Sequence, residues 1–184
     1  MKIAVFVSGR GSNLKAILNY PDLKNLIEIV AVLSDKSDCK AFEIAKEYGI
    51  NSFSVCDGAE KIKQMEITTH LKKLEVGLVV LAGYLKIIPS DLIENFENRI
   101  INIHPALLPS FGGKGMYGMH VHKAVFDSSA KVSGATVHIV DKTYDTGKIV
   151  AQKCIDISDV KSPEEIAERV LKIEHQILPE VVKA

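Results

Sequence analysis

Residues 1–18, MKIAVFVSGRGSNLKAIL, join an apolar run to a helical pattern through a short glycine-rich loop. The run Ile3–Val7 contains no polar residue and stops at a Ser-Gly pair, as expected of a strand that is buried on both faces. Apolar residues then recur at helical spacing, and Ser12 is the expected N-cap of that helix. The stretch therefore predicts a buried strand followed by a helix.

The same alternation of strand and helix patterns continues through the first hundred residues. Further strands are predicted at Ile27–Leu33, Asn51–Val55, Val76–Ala82 and Arg99–Ile103, and helices at Ala41–Tyr48, at Ala59–Leu74 and from Pro89. This order is typical of an α/β fold with an open, mostly parallel, Rossmann-like sheet and helices on both faces. Ligands of such sheets bind outside the carboxyl ends of the strands, which is where the polar segments SGRGSN, AGYLK and NIHP lie.

The second half of the sequence has a different pattern. Its predicted elements are a glycine-rich mobile loop at Ser110–Met119, alternating strands at Val132–Val140 and Lys148–Ile157, a tight turn at Asp145–Gly147, and a final helix from Ser162 to about Leu178. Because only a short turn separates the two strands, they are expected to pair antiparallel. The C-terminal half of the sheet is therefore predicted to contain antiparallel strands.

Composition restricts the class of protein. The 184 residues fit a single domain, and Lys plus Arg equal Asp plus Glu at 23 each, so no global field is expected to recruit nucleic acid or a membrane. Cys39, Cys56 and Cys154 are few and far apart, as is typical of reduced thiols. No signal peptide or membrane-spanning run is apparent, so we expect a cytoplasmic protein with a small-molecule ligand.

The segment Ser8–Asn13, SGRGSN, is here called the glycine loop. Backbone N–H groups and the helix dipole make such a corner an anion site, and a monophosphate fits better than a dinucleotide because the third glycine of the dinucleotide fingerprint is missing. The sequence is not a P-loop either, since no Gly-Lys-Ser/Thr follows. The alternative is a tight turn that needs glycine only for its backbone conformation.

Asn102 and His104 stand two residues apart at the end of an apolar strand, and should therefore share one face. An amide donor beside an imidazole is what an acyl-transfer site needs to hold a developing oxyanion and to move a proton. A structural pair of satisfied polar groups is an equally open interpretation. No nucleophile motif accompanies the pair, which argues against a covalent intermediate.

Two carboxylates are weaker candidates. Asp145 belongs to a turn in which aspartate is common, and it matters only if that turn folds over His104, where the carboxylate would raise the imidazole pKa and fix its tautomer. Glu174 lies on an otherwise apolar helical stripe and is expected to need a polar partner. A metal site formed by His120 and His122 is not expected, because no cysteine or carboxylate cluster accompanies them.

Taken together, six segments occur in the order seen in one enzyme family. They are SGRGSN at 8–13, LAGY at 81–84, INIHPALLP at 101–109, GATVH at 134–138, DTG at 145–147 and Glu174-His175. Over nearly the whole chain the sequence resembles the folate-dependent formyltransferases, and the glycine loop and terminal glutamate resemble the phosphoribosylglycinamide formyltransferase branch.

The resemblance implies a reaction and a set of site residues. The amine of glycinamide ribonucleotide would attack the formyl group of 10-formyltetrahydrofolate, the co-substrate, through a tetrahedral intermediate and without a metal. The implied catalytic residues are Asn102, His104 and Asp145. The implied phosphate and ribose contacts are Gly11, Ser12, Asn13 and Glu174. The implied folate contacts, mostly through backbone groups, are Leu85, Lys86, Ile87, Ile88, Val140 and Asp141. The resemblance divides one domain, 1–184, into a phosphate-binding half at 1–100 and a catalytic, folate-binding half at 101–184.

Some positions depart from the family pattern, and rival functions remain open. Leu85-Lys86 replaces the usual Met-Arg pair, which keeps the charge but loses the geometry of arginine. Roles for Lys86, Lys114 and Lys172 are left open, as are the loop conformation and whether the protein is a monomer or a homodimer. Methionyl-tRNA formyltransferase is disfavoured because it needs a basic surface and an additional domain. A formyltetrahydrofolate hydrolase and a non-catalytic binding module are the remaining alternatives.

Overall fold

A computed structural model describes residues 1–55 and 66–184. The strands are β1 (Lys2–Val7), β2 (Glu28–Ser34), β3 (Ser52–Ser54), β4 (Leu78–Leu81), β5 (Ile100–His104), β6 (Val132–Ile139) and β7 (Ile149–Asp156). The α-helices are α1 (Ser12–Asn19), α2 (Ala41–Glu47), α3 (Ile67–Lys73), α4 (Ser90–Asn95), α5 (Met119–Asp127) and α6 (Pro163–Lys183). Residues 59–65 of the helix predicted at Ala59–Leu74 lie outside the described residues, and its remainder, 66–74, contains α3.

The fold class predicted from the sequence is confirmed. Hydrogen bonding orders the strands β3-β2-β1-β4-β5-β6-β7 in one mixed sheet. The chain divides into two compact units, Met1–Ile101 and Asn102–Ala184, and β5 contributes to both. That the chain is a single domain stays a prediction. Among the described residues, no helix combines the length and apolarity that a membrane span requires.

The sheet of the first unit is parallel and has β1 near its centre. β1 pairs with β2 on one side and with β4 on the other, so that Val5 faces Val32 and Val80. Every residue from Ile3 to Val7 is fully excluded from solvent. A strand that is buried on both faces has no position for a polar side chain, which is why the apolar run predicted this element correctly.

The start of α1 differs from the prediction. Ser12 is the first helical residue rather than the N-cap, and the cap position is occupied by Gly11, whose φ of 75° lies in the left-handed region. A Cβ on Gly11 would lie 2.7 Å from the Cβ of Ala41. The turn therefore needs glycine both for its backbone conformation and for its packing against α2, and this requirement overrides the capping preference of serine.

The second unit is built on an antiparallel pair with a long helix against it. β6 and β7 pair antiparallel with Thr136 opposite Gln152, which confirms the prediction. Helix α6 packs against both strands and against α5. Ser162 caps α6 as expected, by accepting a hydrogen bond from the Glu165 backbone N–H.

Two helices of the second unit were not fully predicted. α5 was not predicted at all, and Met119, placed in the loop by the sequence pattern, is its first residue. Its N-cap is Gly118, which has no side chain that could cap the helix, so the usual sequence signal for a helix start is missing. α6 was expected to end near Leu178 but continues through Pro179 to Lys183.

Candidate active site

Four polar side chains of the second unit, Asn102, His104, His138 and Asp145, lie together and are here called the polar cluster. Asn102 and His104 come from the end of β5, His138 from β6, and Asp145 from the turn between β6 and β7. His104 and His138 are almost fully buried, while Asn102 is partly exposed. The structure thus brings the three residues implied as catalytic into one place, and it adds a fourth.

His104 is held by acceptors on both sides of its ring. Its Nε2 lies 2.9 Å from the Phe111 carbonyl oxygen, and since a carbonyl can only accept, Nε2 carries the proton. Its Nδ1 lies 3.6 Å from Asp145 Oδ2. The tautomer of the neutral ring is therefore set by Phe111, whereas the sequence analysis expected Asp145 to set it.

The pKa of His104 lies below its ordinary value. Burial is the largest influence and lowers the pKa, against the Asp145 carboxylate and the Phe111 carbonyl, which raise it; the His138 ring lowers it further. A turn folded over His104 predicts a raised pKa, and this prediction is wrong. Asp145 does act in that direction, but the desolvation of a nearly buried ring outweighs it.

Asp145 sits in a left-handed backbone conformation with φ of 55°. Its Oδ2 accepts a hydrogen bond of 2.8 Å from the Gly113 N–H, and its Oδ1 lies 3.5 Å from His138 Nε2. Burial raises the pKa of Asp145, but the His138 ring, the Gly113 N–H and the charge of His104 outweigh it, so the pKa lies below its ordinary value. Asp145 is therefore an ionised carboxylate at neutral pH.

His138 connects Asn102 with Asp145, a role that the sequence analysis missed. The Nδ1–H donates to the Ile139 carbonyl at 2.9 Å, which leaves Nε2 to accept from the Asn102 amide at 3.0 Å. The sequence interpretation treated His138 as an ordinary hydrogen-bonded residue of a strand. The available signal was the alternation in GATVH, which places two polar side chains, Thr136 and His138, on one buried face of β6.

The turn that follows His104 is fixed by side chains of β6 and β7. The hydroxyl of Thr136 donates to the Ala106 carbonyl at 2.6 Å and accepts from the Leu108 N–H at 3.0 Å. Gln152 donates to the Leu108 carbonyl at 2.8 Å and to the Thr136 hydroxyl at 3.0 Å. These buried bonds satisfy a turn that would otherwise leave backbone groups unpaired, and they set where the chain enters the glycine-rich loop.

Two further ionisable residues of the second unit are buried. His122 on α5 is 6% exposed, and its Nδ1 finds no hydrogen-bond partner among the described residues; burial, and next the charge of His104, lower its pKa to about 4. Glu174 lies on the buried face of α6, as the sequence pattern suggested. No group of His, Cys, Asp and Glu in the described ranges has the arrangement of a metal site.

In the first unit, the glycine loop and the implied folate segment are connected. The Ser8 N–H donates to the Gly83 carbonyl at 3.1 Å, and the Ser8 hydroxyl accepts from the Leu85 N–H at 2.9 Å. Within the folate segment Leu85, Lys86 and Ile87 are exposed, and Ile88 is buried. Both segments follow neighbouring strands, β1 and β4, and so lie at the same edge of the parallel sheet.

The remaining implied folate residues, Val140 and Asp141, are partly buried and begin the turn that contains Asp145. The Asp141 carboxylate accepts from the Thr143 N–H at 2.8 Å and from the Thr146 hydroxyl at 2.9 and 3.0 Å. Gly147 closes the turn, where a Cβ would overlap the Ile139 carbonyl oxygen. The side chain of Asp141 thus stabilises the turn, which leaves backbone groups as the contacts that it can offer a ligand.

Comparison with known proteins identifies the family of this chain. A family model described as formyl transferase matches residues 1–182. A chloroplastic phosphoribosylglycinamide formyltransferase of Vigna unguiculata is 47% identical over the whole chain, which spans 60% of that relative's length. The Bacillus subtilis phosphoribosylglycinamide formyltransferase is 39% identical, over 99% of this chain and 93% of its own.

Solved structures give the same result for the fold. The crystal structure of glycinamide ribonucleotide transformylase 1 from Symbiobacterium toebii matches with a TM-score of 0.88 and 31% identity, over all of this chain and 86% of that one. A phosphoribosylglycinamide formyltransferase from Bacillus halodurans also gives a TM-score of 0.88, with 30% identity over all of this chain and 94% of its own. The protein belongs to the formyl transferase family.

Proposed function

We propose that this protein transfers the formyl group of 10-formyltetrahydrofolate to the amine of glycinamide ribonucleotide, a step of purine biosynthesis. The observation that carries the proposal is the polar cluster, in which Asn102, His104 and Asp145 meet at the end of β5. The names of the relatives supply the formyl group and its acceptor, and the family resemblance supplies the folate donor. Both partners are small molecules, and a cytoplasmic location and the oligomeric state stay predictions.

The chemistry follows from the donors of the cluster. The amine lone pair attacks the formyl carbon, and the carbonyl oxygen becomes an oxyanion. Asn102 gives one N–H to His138, which leaves the second N–H of its amide for that oxyanion, and positive charge on the His104 ring stabilises the oxyanion electrostatically. When the C–N bond to the folate breaks, the proton lost by the amine goes to the leaving nitrogen, through ordered water near Asp145.

The ionised carboxylate of Asp145 supports positive charge on His104. A protonated His104 has an acceptor for each ring N–H, namely the Phe111 carbonyl and Asp145, whereas the neutral ring has a hydrogen to donate only to the first. Charge developing on the ring is therefore matched by groups that are already in place. Preorganised groups of this kind need no rearrangement as the oxyanion forms.

Substrate contacts are proposed on separate grounds. Gly11, Ser12 and Asn13, at the start of the eight-residue helix α1, fit the ribose phosphate, because backbone N–H groups and the helix dipole favour an anion there. Glu174 is proposed for the sugar hydroxyls or the glycyl amine. The folate is proposed to contact mostly backbone groups, at Leu85, Lys86, Ile87 and Ile88 and at Val140 and Asp141.

A transfer assay with both substrates tests the function. His104→Ala should lower kcat by about 10²–10³, the scale of removing one oxyanion donor or acid–base group. Wild-type turnover in that variant contradicts the catalytic role. Formate release at equal rate without the amine substrate would instead identify a hydrolase, and binding of both ligands without either reaction would identify a non-catalytic module.

A further inference from the structure

Three residues of the glycine-rich loop, Phe111–Gly113, contact both ionisable catalytic groups, and are here called the strap. The Phe111 carbonyl accepts from His104 Nε2 at 2.9 Å, and the Gly113 N–H donates to Asp145 Oδ2 at 2.8 Å. Both contacts are made by backbone atoms of the strap, so no sequence motif predicts them. One short segment thus contacts both the imidazole and the carboxylate on which the proposed reaction depends.

The residue between these two contacts has no room for a side chain. A Cβ on Gly112 would strike the side chain of Leu108 and would lie 3.2 Å from the Cβ of Asp145. At Gly112 the strap therefore lies directly against Asp145. A larger residue crowds both the Leu108 methyl group and the Asp145 Cβ, and we expect it to push the strap away from the carboxylate and to lengthen both backbone contacts.

The backbone conformation of the strap is also unusual. Phe111 has φ of 55°, and Asp145 has the same value, although neither is glycine. Non-glycine residues rarely adopt this conformation, and where they do, the surrounding structure must hold them in it. Here the conformation directs the Phe111 carbonyl at His104, and the Thr136 and Gln152 hydrogen bonds fix the turn that leads into the strap.

We propose that the strap is a positioning element of the active site, whose backbone holds His104 and Asp145 in their working orientation and in which Gly112 is specifically required. The proposal rests on the function proposed above. The Phe111 carbonyl fixes which nitrogen of the neutral ring carries the proton and supports the protonated ring. The Gly113 N–H donates to Asp145 Oδ2, which is the carboxylate oxygen nearest to His104 Nδ1, and so keeps that oxygen turned towards the ring.

Gly112→Ala tests the proposal in the full chain, with Gly115→Ala as its matched control. Gly115 belongs to the same loop and has φ of 88°, but a Cβ there meets nothing within 4 Å, so the control strains the loop backbone without crowding Asp145 or Leu108. We expect kcat of Gly112→Ala to fall about 10²-fold, as for a small misplacement of a reacting group, while KM for both substrates stays within about threefold. A kcat within about threefold of the control would overturn the proposal.

An NMR titration of the His104 ring supplies a readout that a general loss of stability does not move. The His104 signal is assigned by its loss in His104→Gln. The Phe111 carbonyl raises the His104 pKa, so Gly112→Ala should shift the midpoint to lower pH, whereas Gly115→Ala should not. An unchanged midpoint in Gly112→Ala would overturn the proposal.

A backbone change removes one contact without adding any atom, and it decides the matter if Gly112→Ala does not fold. Replacing Gly113 by glycolic acid converts its N–H into an ester oxygen, so Asp145 loses its donor while the side chains stay the same. We expect kcat to fall at least about tenfold. A loss below about twofold overturns the role of Gly113. The titration needs no turnover, so a wild-type protein that lacks formyl transfer would refute the proposed function and leave the strap tested independently.

Discussion

The glycine loop of the first unit and the polar cluster of the second are both proposed binding sites, but they are built from different materials. The loop is proposed to bind through backbone N–H groups at the start of α1. It requires a residue without a Cβ at Gly11, because Gly11 packs against Ala41. The cluster uses polar side chains, three of which are titratable, and each is oriented by another polar group. The loop is therefore specified by steric space and the cluster by charge and hydrogen bonding.

The difference determines how each site should fail. An added methyl group disturbs the loop and leaves its electrostatics unchanged, so stability and substrate affinity should fall together. The removal of one charge from the cluster leaves its shape almost unchanged, so kcat should fall at nearly constant stability. Substitutions that keep either shape or charge can separate the two kinds of site.

The largest effect is expected for Asp145→Asn, which keeps the shape of the side chain and removes its charge. The amide oxygen can still accept from the Gly113 N–H, but it no longer supports a protonated His104. We expect kcat to fall about 10²–10³ with little change in KM, measured by transfer of the formyl group. The exposed Asp127→Asn on α5 is the matched control and should retain wild-type kcat. A decrease of less than about threefold in Asp145→Asn would show that the charge is not used.

Gly11→Ala is expected to have the next largest effect, in the glycine loop. The new Cβ would lie 2.7 Å from the Ala41 Cβ, at a φ of 75° that alanine adopts only with strain. Together these should lower the free energy of unfolding by about 2–3 kcal/mol and raise KM for the amine substrate. Urea unfolding measures the first effect. A Cβ on Gly9 meets nothing within 4 Å, so Gly9→Ala should unfold within about 0.5 kcal/mol of wild type, and equal losses in the two variants would refute the steric explanation.

The sequence predicts those parts of the two sites whose signal is local. The apolar run before the glycine loop predicts β1, because a strand buried on both faces excludes polar residues. The two-residue spacing of Asn102 and His104 predicts that they share a face. The contacts of His104 with Phe111 and of Asp145 with Gly113 are made by backbone atoms, which every residue has, so no residue type predicts them.

Other features depend on residues that are distant in the sequence. Gly11 replaces Ser12 at the cap of α1 because Ala41, thirty positions away, approaches it. His138 joins the polar cluster because β6 places it beside Asn102, a partner that the segment GATVH does not itself indicate. In both cases a tertiary contact decided the outcome.

A smaller effect, on the pH dependence of stability, is expected from His122. Its pKa is about 4 in the folded protein against 6.5 in the unfolded chain, so the stability that it contributes is fully present above pH 6.5 and is lost as the pH falls towards 4. Between pH 7 and pH 5 this loss is about 2 kcal/mol. Urea unfolding at the two pH values gives the difference in the free energy of unfolding, and we expect this difference to be smaller by that amount in His122→Leu.

The neighbouring His120 provides the control for this measurement. It lies on the same helix but is exposed, so His120→Leu should retain the wild-type difference in stability between pH 7 and pH 5. His122 makes no hydrogen bond through Nδ1 among the described residues, so leucine removes no such contact there. If His122→Leu loses as much stability at pH 5 as wild type, the buried imidazole does not contribute to the acid sensitivity.

The smallest effect compares two serines at helix starts, and it tests whether the glycine loop is specified by its backbone. Ser162 caps α6 by accepting from the Glu165 N–H at 3.3 Å, so Ser162→Ala should lower the free energy of unfolding by about 1 kcal/mol. Ser12 makes no capping bond at α1, so Ser12→Ala should cost less than about 0.5 kcal/mol and should change mainly KM for the phosphate-bearing substrate. If Ser12→Ala destabilises the protein as much as Ser162→Ala, its hydroxyl has a structural role in the loop, and the contrast between a backbone site and a side-chain site would no longer hold.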